Sequence, residues 1–299
     1  MKLRLSKFLS KILIAAMIVT GFTGLSGSVK AFAAEGIKVY VTISDKGNLV
    51  LKQKTVEVSD VDGDGALTIA DALVCAHEKY YEGDSSAAGF AYSEKEGYEG
   101  YSIDVLWGDN SGAFMYYLND GMAWSLADPI ADGDYINAFI LQDQTYWSDA
   151  YTFFNSHKIG VKNGGSKKVT LSYYTYDENW NLVPAPLANA KIIINEKETE
   201  YVTGKKGKAT LKFDKAGSYF ISAASDDMTI VPPSCLIFVQ PKKGDTIEVK
   251  NVSYTVTKLG KVSTGKKGKV TFSKAANPDK TAPKTVEFAG VTYKVKVVD

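Results

Sequence analysis

Residues 37–58, IKVYVTISDKGNLVLKQKTVEV, followed by SDVDGDGALT (59–68) and IADALVCAHEKYYE (69–82), decide the fold. Ile37, Val39, Val41 and Ile43 alternate along the first stretch, which is the period of a strand with one apolar face. Asp45-Lys46-Gly47-Asn48 supplies a turn, and Leu49-Val50-Leu51 starts the return. A third short strand is expected over Thr55 to Val58, running into an acidic loop. Beyond that loop Ile69, Leu73, Ala76 and Tyr80 recur at helical spacing, with Gly83 as the stop. Long helical patterns are otherwise almost absent. The expected class is therefore mainly β: an α+β first domain with one helix, then a β-sandwich and a small β module.

The loop itself, Asp60 to Asp71, has the twelve-position spacing of an EF-hand calcium loop. Asp60, Asp62 and Asp64 fall at positions 1, 3 and 5. Gly65 at position 6 permits the sharp turn, and Ala66 at position 7 offers its backbone carbonyl. Leu67 is the apolar plug, Thr68 sits at the water-bridged position 9, and Asp71 takes position 12. A hard cation needs several oxygens, and alternate side chains of a tight loop converge to provide them. The sequence thus points to calcium held by Asp60, Asp62, Asp64, Ala66, Thr68 and Asp71. The plainer alternative is an acidic turn ending in a helix cap. Position 12 is Asp rather than Glu and the preceding segment reads as a strand, so the loop resembles half of a dockerin repeat.

Residues 101–154 are rich in aromatic groups, including Trp107, Trp124 and Trp147. With Tyr116 and Tyr117 these are candidate ligand-binding residues, a stacking surface for a flat molecule or a sugar. The alternative is simply core, because Phe114-Met115-Tyr116-Tyr117-Leu118 puts large apolar groups on both faces of one strand. Residues 37–154 together resemble bacterial domains similar to the C-terminal domain of transcobalamin and intrinsic factor. The resemblance rests on the strand pair, Thr68-Ile69-Ala70-Asp71-Ala72-Leu73, Tyr116-Tyr117-Leu118-Asn119-Asp120 and Asp132-Gly133-Asp134-Tyr135-Ile136. It implies a β-grasp-like ββα…ββ arrangement over 35–154, and a capture role for a flat small ligand such as a corrinoid.

Residues 84–100 read as a connector and 155–166, ending Asn163-Gly164-Gly165-Ser166, as a linker. A β-sandwich is expected over 167–240. Pro186-Leu187-Ala188-Asn189-Ala190 and Ala216-Gly217-Ser218-Tyr219-Phe220-Ile221 resemble the Ig-like repeats of Gram-positive surface proteins. Pro241 to Asp245 separates a small β module, 246–299. Its Val252-Ser253-Tyr254-Thr255-Val256 and Val291-Thr292-Tyr293-Lys294-Val295 resemble short modules of clostridial surface proteins. Two similar stretches, Thr203 to Leu211 and Thr264 to Phe272, carry clustered lysines. They read as solvated hairpin turns, or as a basic patch for anionic wall polymers.

At the N-terminus, Lys2, Arg4, Lys7 and Lys11 precede an apolar run, and Ala31-Phe32-Ala33 is a small-x-small cleavage signal. Residues 1–33 are therefore expected to be a secretory signal peptide. Glycines at 21, 24 and 27 cut the run short of the roughly 20 residues a membrane span needs. The net charge is +1, and the signal carries five basic residues and no acid, which leaves −4. A slightly acidic chain argues against nucleic acid as a partner. Cys75 and Cys235 are too few for a disulfide scaffold and read as free thiols. The only histidines are His77 and His157, and no nucleophile elbow or zinc spacing occurs. The expectation is a secreted or cell-surface, non-catalytic, adhesion-type binding protein. Its partner would be a glycan, a host or cell-wall component, or a small molecule. A secreted carbohydrate-active enzyme is the further alternative, since two of the 34 acids would suffice for glycosidase chemistry.

Overall fold

The computed structural model describes residues 36–94, 100–249, 252–258, 262–264, 270–272, 285–288 and 291–297. The expected signal segment 1–33 and the centre of the second lysine-rich turn, 265–269, lie outside the described residues. Among the described residues no helix is long and apolar enough to cross a membrane.

The chain is mainly β. β1 (Ile37–Asp45) and β2 (Asn48–Val58) form the first hairpin. Its turn residues Lys46 and Gly47 have φ of 46° and 84°, the left-handed values that a two-residue hairpin needs. The separate strand expected over Thr55–Val58 is corrected to the end of β2. Gln53, at φ 45°, interrupts the alternation, but pairing resumes with Lys54 opposite Val41. This is a bulge, not a strand end. α1 (Ile69–Tyr80) follows the acidic loop and stops at Tyr81, whose N–H donates to the His77 carbonyl, rather than at Gly83. The expected connector 84–100 instead holds α2 (Ser86–Gly89) and β3 (Phe90–Glu94), and β3 pairs with β4 (Tyr101–Leu106).

β5 (Phe114–Leu118), β6 (Gly121–Met122) and β7 (Tyr135–Ile140) complete the first sheet, in the order β2-β1-β7-β5-β6. β1 and β7 are parallel, and the other pairs are antiparallel. This is the ββα…ββ arrangement. α1 covers one face, packing Ile69, Leu73 and Ala76 on Val39, Val41 and Ile43. The other face of the same strands carries Thr42 and Ser44, which are buried too. That face meets the next module.

The second module comprises β8 (Ala150–Phe154), β9 (Lys158–Lys162), β10 (Ser166–Tyr176), β11 (Leu182–Pro186), β12 (Lys191–Ile194), β13 (Lys197–Val202), β14 (Lys208–Lys212), β15 (Gly217–Ala224), β16 (Ile230–Val231) and β17 (Cys235–Gln240). One sheet runs β11-β10-β8-β16, with β14 on β10, and the other runs β13-β12-β15-β17-β9. Val169, Leu171, Ile192, Leu211, Ile221 and Ile237 form the core of this β-sandwich. The boundaries at 154 and 167 are corrected by the pairing. β8 joins β10, and β9 joins β17, so the module starts at Ala150 and residues 155–166 are not a free linker. Ile159 and Val161 alternate inward on β9 and are buried, which is why this polar, glycine-bearing stretch is a strand. In both modules first strands lie parallel to last ones: β1 with β7, β8 with β16, β9 with β17.

The third module has β18 (Thr246–Val249), β19 (Val252–Lys258), β20 (Val262–Thr264), β21 (Val270–Phe272), β22 (Thr285–Phe288) and β23 (Val291–Val297). Its sheet is β18-β19-β23-β22, beside the pair β20-β21. Ile247, Tyr254, Val256, Val286 and Tyr293 form its small core. In the first lysine-rich turn Gly207 takes φ 65°, and a Cβ there would meet the Leu171 carbonyl oxygen at 2.3 Å. Only glycine fits, and Lys205, Lys206 and Lys208 beside it are exposed. The turn is solvated, but it is not the expected hairpin: it carries the chain from β13 in one sheet to β14 in the other. Cys75 and Cys235 are both buried free thiols.

Candidate metal centre and aromatic groups

The acidic loop hangs between the end of β2 and the start of α1. Asp60 organises it. One Asp60 oxygen accepts from the N–H groups of Gly63 (2.7 Å) and Asp64 (3.2 Å), and the other from Gly65 (2.9 Å). Gly63 and Gly65 take φ of 75° and 89°, which aims those amides inward. At the far end Asp71 and Thr68 make a capping box. The Thr68 hydroxyl accepts from Asp71 N–H and donates to Asp71 Oδ2, which also accepts from Thr68 N–H. The other Asp71 oxygen reaches back across the loop to accept from Val61 N–H at 2.9 Å.

Ligand oxygens of Asp60, Asp62 and Asp71 lie within 4.8 Å of one another. Asp64 stands outside this trio, its carboxylate accepting from Ala66 N–H at 2.8 Å. The Thr68 hydroxyl is engaged in the helix cap. Three of the four expected carboxylates therefore converge. Among the described residues none of the three forms an ion pair with a basic side chain. Desolvation, then the charges of Asp64, Asp71 and Asp60, raise the pKa of Asp62 above the ordinary carboxylate value. Asp60 goes the other way. Desolvation opposes its ionisation, but the amides of Gly65, Gly63 and Asp64 outweigh it and lower the pKa. Tyr92 nearby is pushed up to about 12, by burial first and then by Asp62 and Asp71. An all-oxygen cluster of surplus negative charge fits a hard cation such as calcium.

The loop is pinned to the sheet by a segment far away in sequence. Leu67 carbonyl accepts from Ile130 N–H at 3.0 Å, and Thr68 bridges to Pro129. The first amides of α1, which have no partner inside a helix, donate outward: Ile69 to Asp128 carbonyl and Ala70 to Leu126 carbonyl. Movement of the loop would thus move both the helix and residues 126–130.

The five aromatic candidates do not form one platform. Tyr116 packs on the first core, and Tyr117 points to the opposite face of β5, into the junction with the second module. Trp107 lies edge-on to Tyr81 (5.2 Å) and tilted against His77 (5.2 Å). Trp124 is exposed, and Trp147 is half-exposed on the loop before β8. The one buried histidine of α1, His77, binds Leu73 carbonyl through Nδ1 at 2.7 Å, while Trp107 N–H faces its Nε2 at 3.4 Å. A carbonyl only accepts, so the proton sits on Nδ1 and the ring is neutral. Burial pulls its pKa down to about 4 against that hydrogen bond.

The junction is a polar and aromatic network with no continuous sequence motif. Tyr117 stacks on Tyr151 at 3.7 Å. Tyr151 hydroxyl donates to one oxygen of Asp120 (3.0 Å), and His157 Nε2 meets the other at 2.9 Å. Tyr135 stacks on His157 at 4.0 Å, and Thr42 and Ser234 share a hydroxyl hydrogen bond at 3.1 Å. Asp120 is positioned by the β5–β6 turn, where Asn119 and Asp120 take φ of 53° and 63°. Asp120 and His157 are the residues that sequence inspection could have flagged, but their separation of 37 residues carries no signal.

No protein-family model matches the chain, and no curated protein matches it. Among solved structures, one similar chain is that of the N-terminal four Ig domains of Dscam1 isoform 6.9. It is 12% identical, over 50% of this chain and 37% of that one, with a TM-score of 0.21. The alignment thus spans about a third of that chain, and a superposition of this quality does not discriminate among β-rich folds.

Proposed function

We propose that this chain is a secreted, non-catalytic binding protein of the cell exterior, of the surface or adhesion type, in which calcium acts as a structural staple. The observation that carries the calcium reading is the convergence of Asp60, Asp62 and Asp71 to within 4.8 Å between a strand end and a helix start. The β-sandwich that follows supports the adhesion-type reading as architecture only. A corrinoid or other flat ligand is less well supported, because Trp107, Tyr116, Tyr117, Trp124 and Trp147 are dispersed over different faces.

A bound ion would remove the repulsion in the loop and would stabilise only the folded state. At free calcium one hundred times the dissociation constant the gain is about 2.7 kcal/mol, a large share of a margin of roughly 5–15 kcal/mol. The test is thermal unfolding of the whole chain in millimolar calcium and in chelator. Calcium should raise the melting temperature by several degrees, and Asp62→Ala should abolish that response. Magnesium should substitute poorly, since it dehydrates reluctantly and demands tighter geometry. Superimposable curves with and without calcium would reduce the loop to an acidic turn with a helix cap.

A further inference from the structure

Large apolar side chains are exposed at few places among the described residues; besides Trp124, four of them are aromatic groups, three on two loops and Tyr176 at the end of β10 where the second loop begins. Tyr146 is 83% exposed, Trp147 50%, Tyr176 59% and Trp180 83%. The first loop, 142–149, leads into β8, and the second, 177–181, joins β10 to β11. β10 and β8 are antiparallel neighbours, with Tyr173 opposite Thr152. Continuing that register puts Tyr176 opposite Asp149. The two loops therefore leave the same end of one sheet, from neighbouring strands that are paired as far as Tyr173 and Thr152.

Both loops are built by the same device. Asp143 accepts from Thr145 N–H, Tyr146 N–H and the Ser148 hydroxyl, and its carbonyl accepts from Trp147 N–H at 3.0 Å. Asp149 closes the neck by accepting from Gln142 and Asp143 N–H. In the second loop Asp177 accepts from Asn179 N–H, Asn181 N–H and the Asn181 amide, and its carbonyl accepts from Trp180 N–H at 3.0 Å. Each tryptophan sits in the left-handed region, Trp147 at φ 56° and Trp180 at φ 62°. That conformation is unfavourable for a bulky side chain. It persists because the surrounding hydrogen bonds fix the loop, and each loop holds its indole out into solvent.

We propose that Tyr146, Trp147, Tyr176 and Trp180 form a stacking surface for the pyranose rings of a neutral polysaccharide. The loops contain no Lys, Arg or His, so nothing there would attract a polyanion. Three of their four carboxylates, Asp143, Asp149 and Asp177, are turned onto backbone amides, leaving Glu178 for a cationic ligand. What faces outward is aromatic rings with the amide of Asn179, beside that of Gln144, which donates to the Ser111 hydroxyl at 3.3 Å, a combination suited to ring faces and hydroxyls. The other exposed large apolar groups, Met122, Trp124, Val202 and Val252, lie on neither loop. Of the aromatic residues expected from the sequence to bind ligand, only Trp147 belongs to this surface. The inference rests on the binding-protein reading, and is independent of the calcium loop.

The test is affinity electrophoresis of the full chain in gels containing soluble mixed-linkage β-glucan, xyloglucan or galactomannan, with heparin and choline as contrasting probes. At least one neutral glycan should retard the protein and quench tryptophan fluorescence. Trp147→Ala with Trp180→Ala should weaken that binding about tenfold or more without lowering the melting temperature. Chelation should leave the binding intact. Retardation unchanged in the double variant would place any sugar site elsewhere and overturn this one while sparing the binding-protein reading. No retardation by any neutral glycan, or binding of heparin or choline alone, would also overturn it. A calcium shift in melting without glycan binding would sink the stacking surface only, and glycan binding without the shift would sink the calcium staple only.

Discussion

The first module is gripped at two ends by aspartates in contrasting surroundings. At the outer end Asp60, Asp62 and Asp71 bring oxygens within 4.8 Å of one another. At the inner end Asp120 divides its two oxygens between His157 and the Tyr151 hydroxyl. The inner carboxylate is matched within the protein, by groups from the neighbouring module. The outer ones have no basic partner among the described residues and would draw their counter-charge from solution. The inner end should therefore respond to truncation of its partners, and the outer end to the ionic medium.

The largest effect should come from emptying the inner end. Tyr151 is fully enclosed between Tyr117, Phe139 and Tyr174. Tyr151→Ala should cost about 3–5 kcal/mol in urea unfolding, and should split a single transition into two as the modules uncouple. A loss under about 1 kcal/mol with one transition would show that the junction is incidental contact.

Acid should act next, through the helix that the outer loop starts. His77 has a folded pKa of about 4 against about 6.5 when unfolded. Between those values the unfolded chain binds the extra proton, so stability rises with pH across the window and is lost as pH falls from about 6.5 toward 4. The loss is on the order of 3 kcal/mol. His77→Phe keeps a ring against Phe90 and Trp107 and should flatten this part of the profile. An equally steep profile in that variant would move the acid sensitivity elsewhere.

The smallest effect is the most diagnostic of the contrast. Desolvation and neighbouring carboxylates raise the Asp62 pKa, so its ionised form is disfavoured in the folded, ion-free loop. Asp62→Asn should therefore slightly raise the melting temperature in chelator and lower it in calcium. The same sign in both media would mean that the outer end is not a charge cluster waiting for an ion.

Much of the first module could be read from residues close in sequence. The alternation of Ile37 to Ile43, the helical spacing from Ile69 to Tyr80 and the twelve-residue loop all lie within one short stretch. What escaped was non-local. β9 has two inward residues, Ile159 and Val161, and its partner β17 begins at Cys235, so a short polar run looked like a linker. The bulge at Gln53 made one strand look like two. The aromatic stretch 101–154 read as one candidate surface because composition does not report facing. Tyr116 and Tyr117 are adjacent in the chain and point into different cores. Asp120, His157 and Tyr151 come together only through the docking of two sheets.

The parallel placement of first and last strands has a mechanical consequence. Tension applied at the N-terminal side of β1 and transmitted onward from the C-terminal end of β7 pulls these two neighbours in opposite directions along their length. β9 and β17 are loaded in the same sense once β8, which precedes β9 and pairs with β10 and β16, has been drawn out. Six paired positions in the first ladder, Tyr40↔Tyr135 to Asp45↔Ile140, and five in the second, Leu236↔Lys158 to Gln240↔Lys162, then share the load together. A hairpin pulled from its open end would instead give way one pair at a time. Stretched between two anchors, the chain meets shear rather than peeling at both of its larger modules.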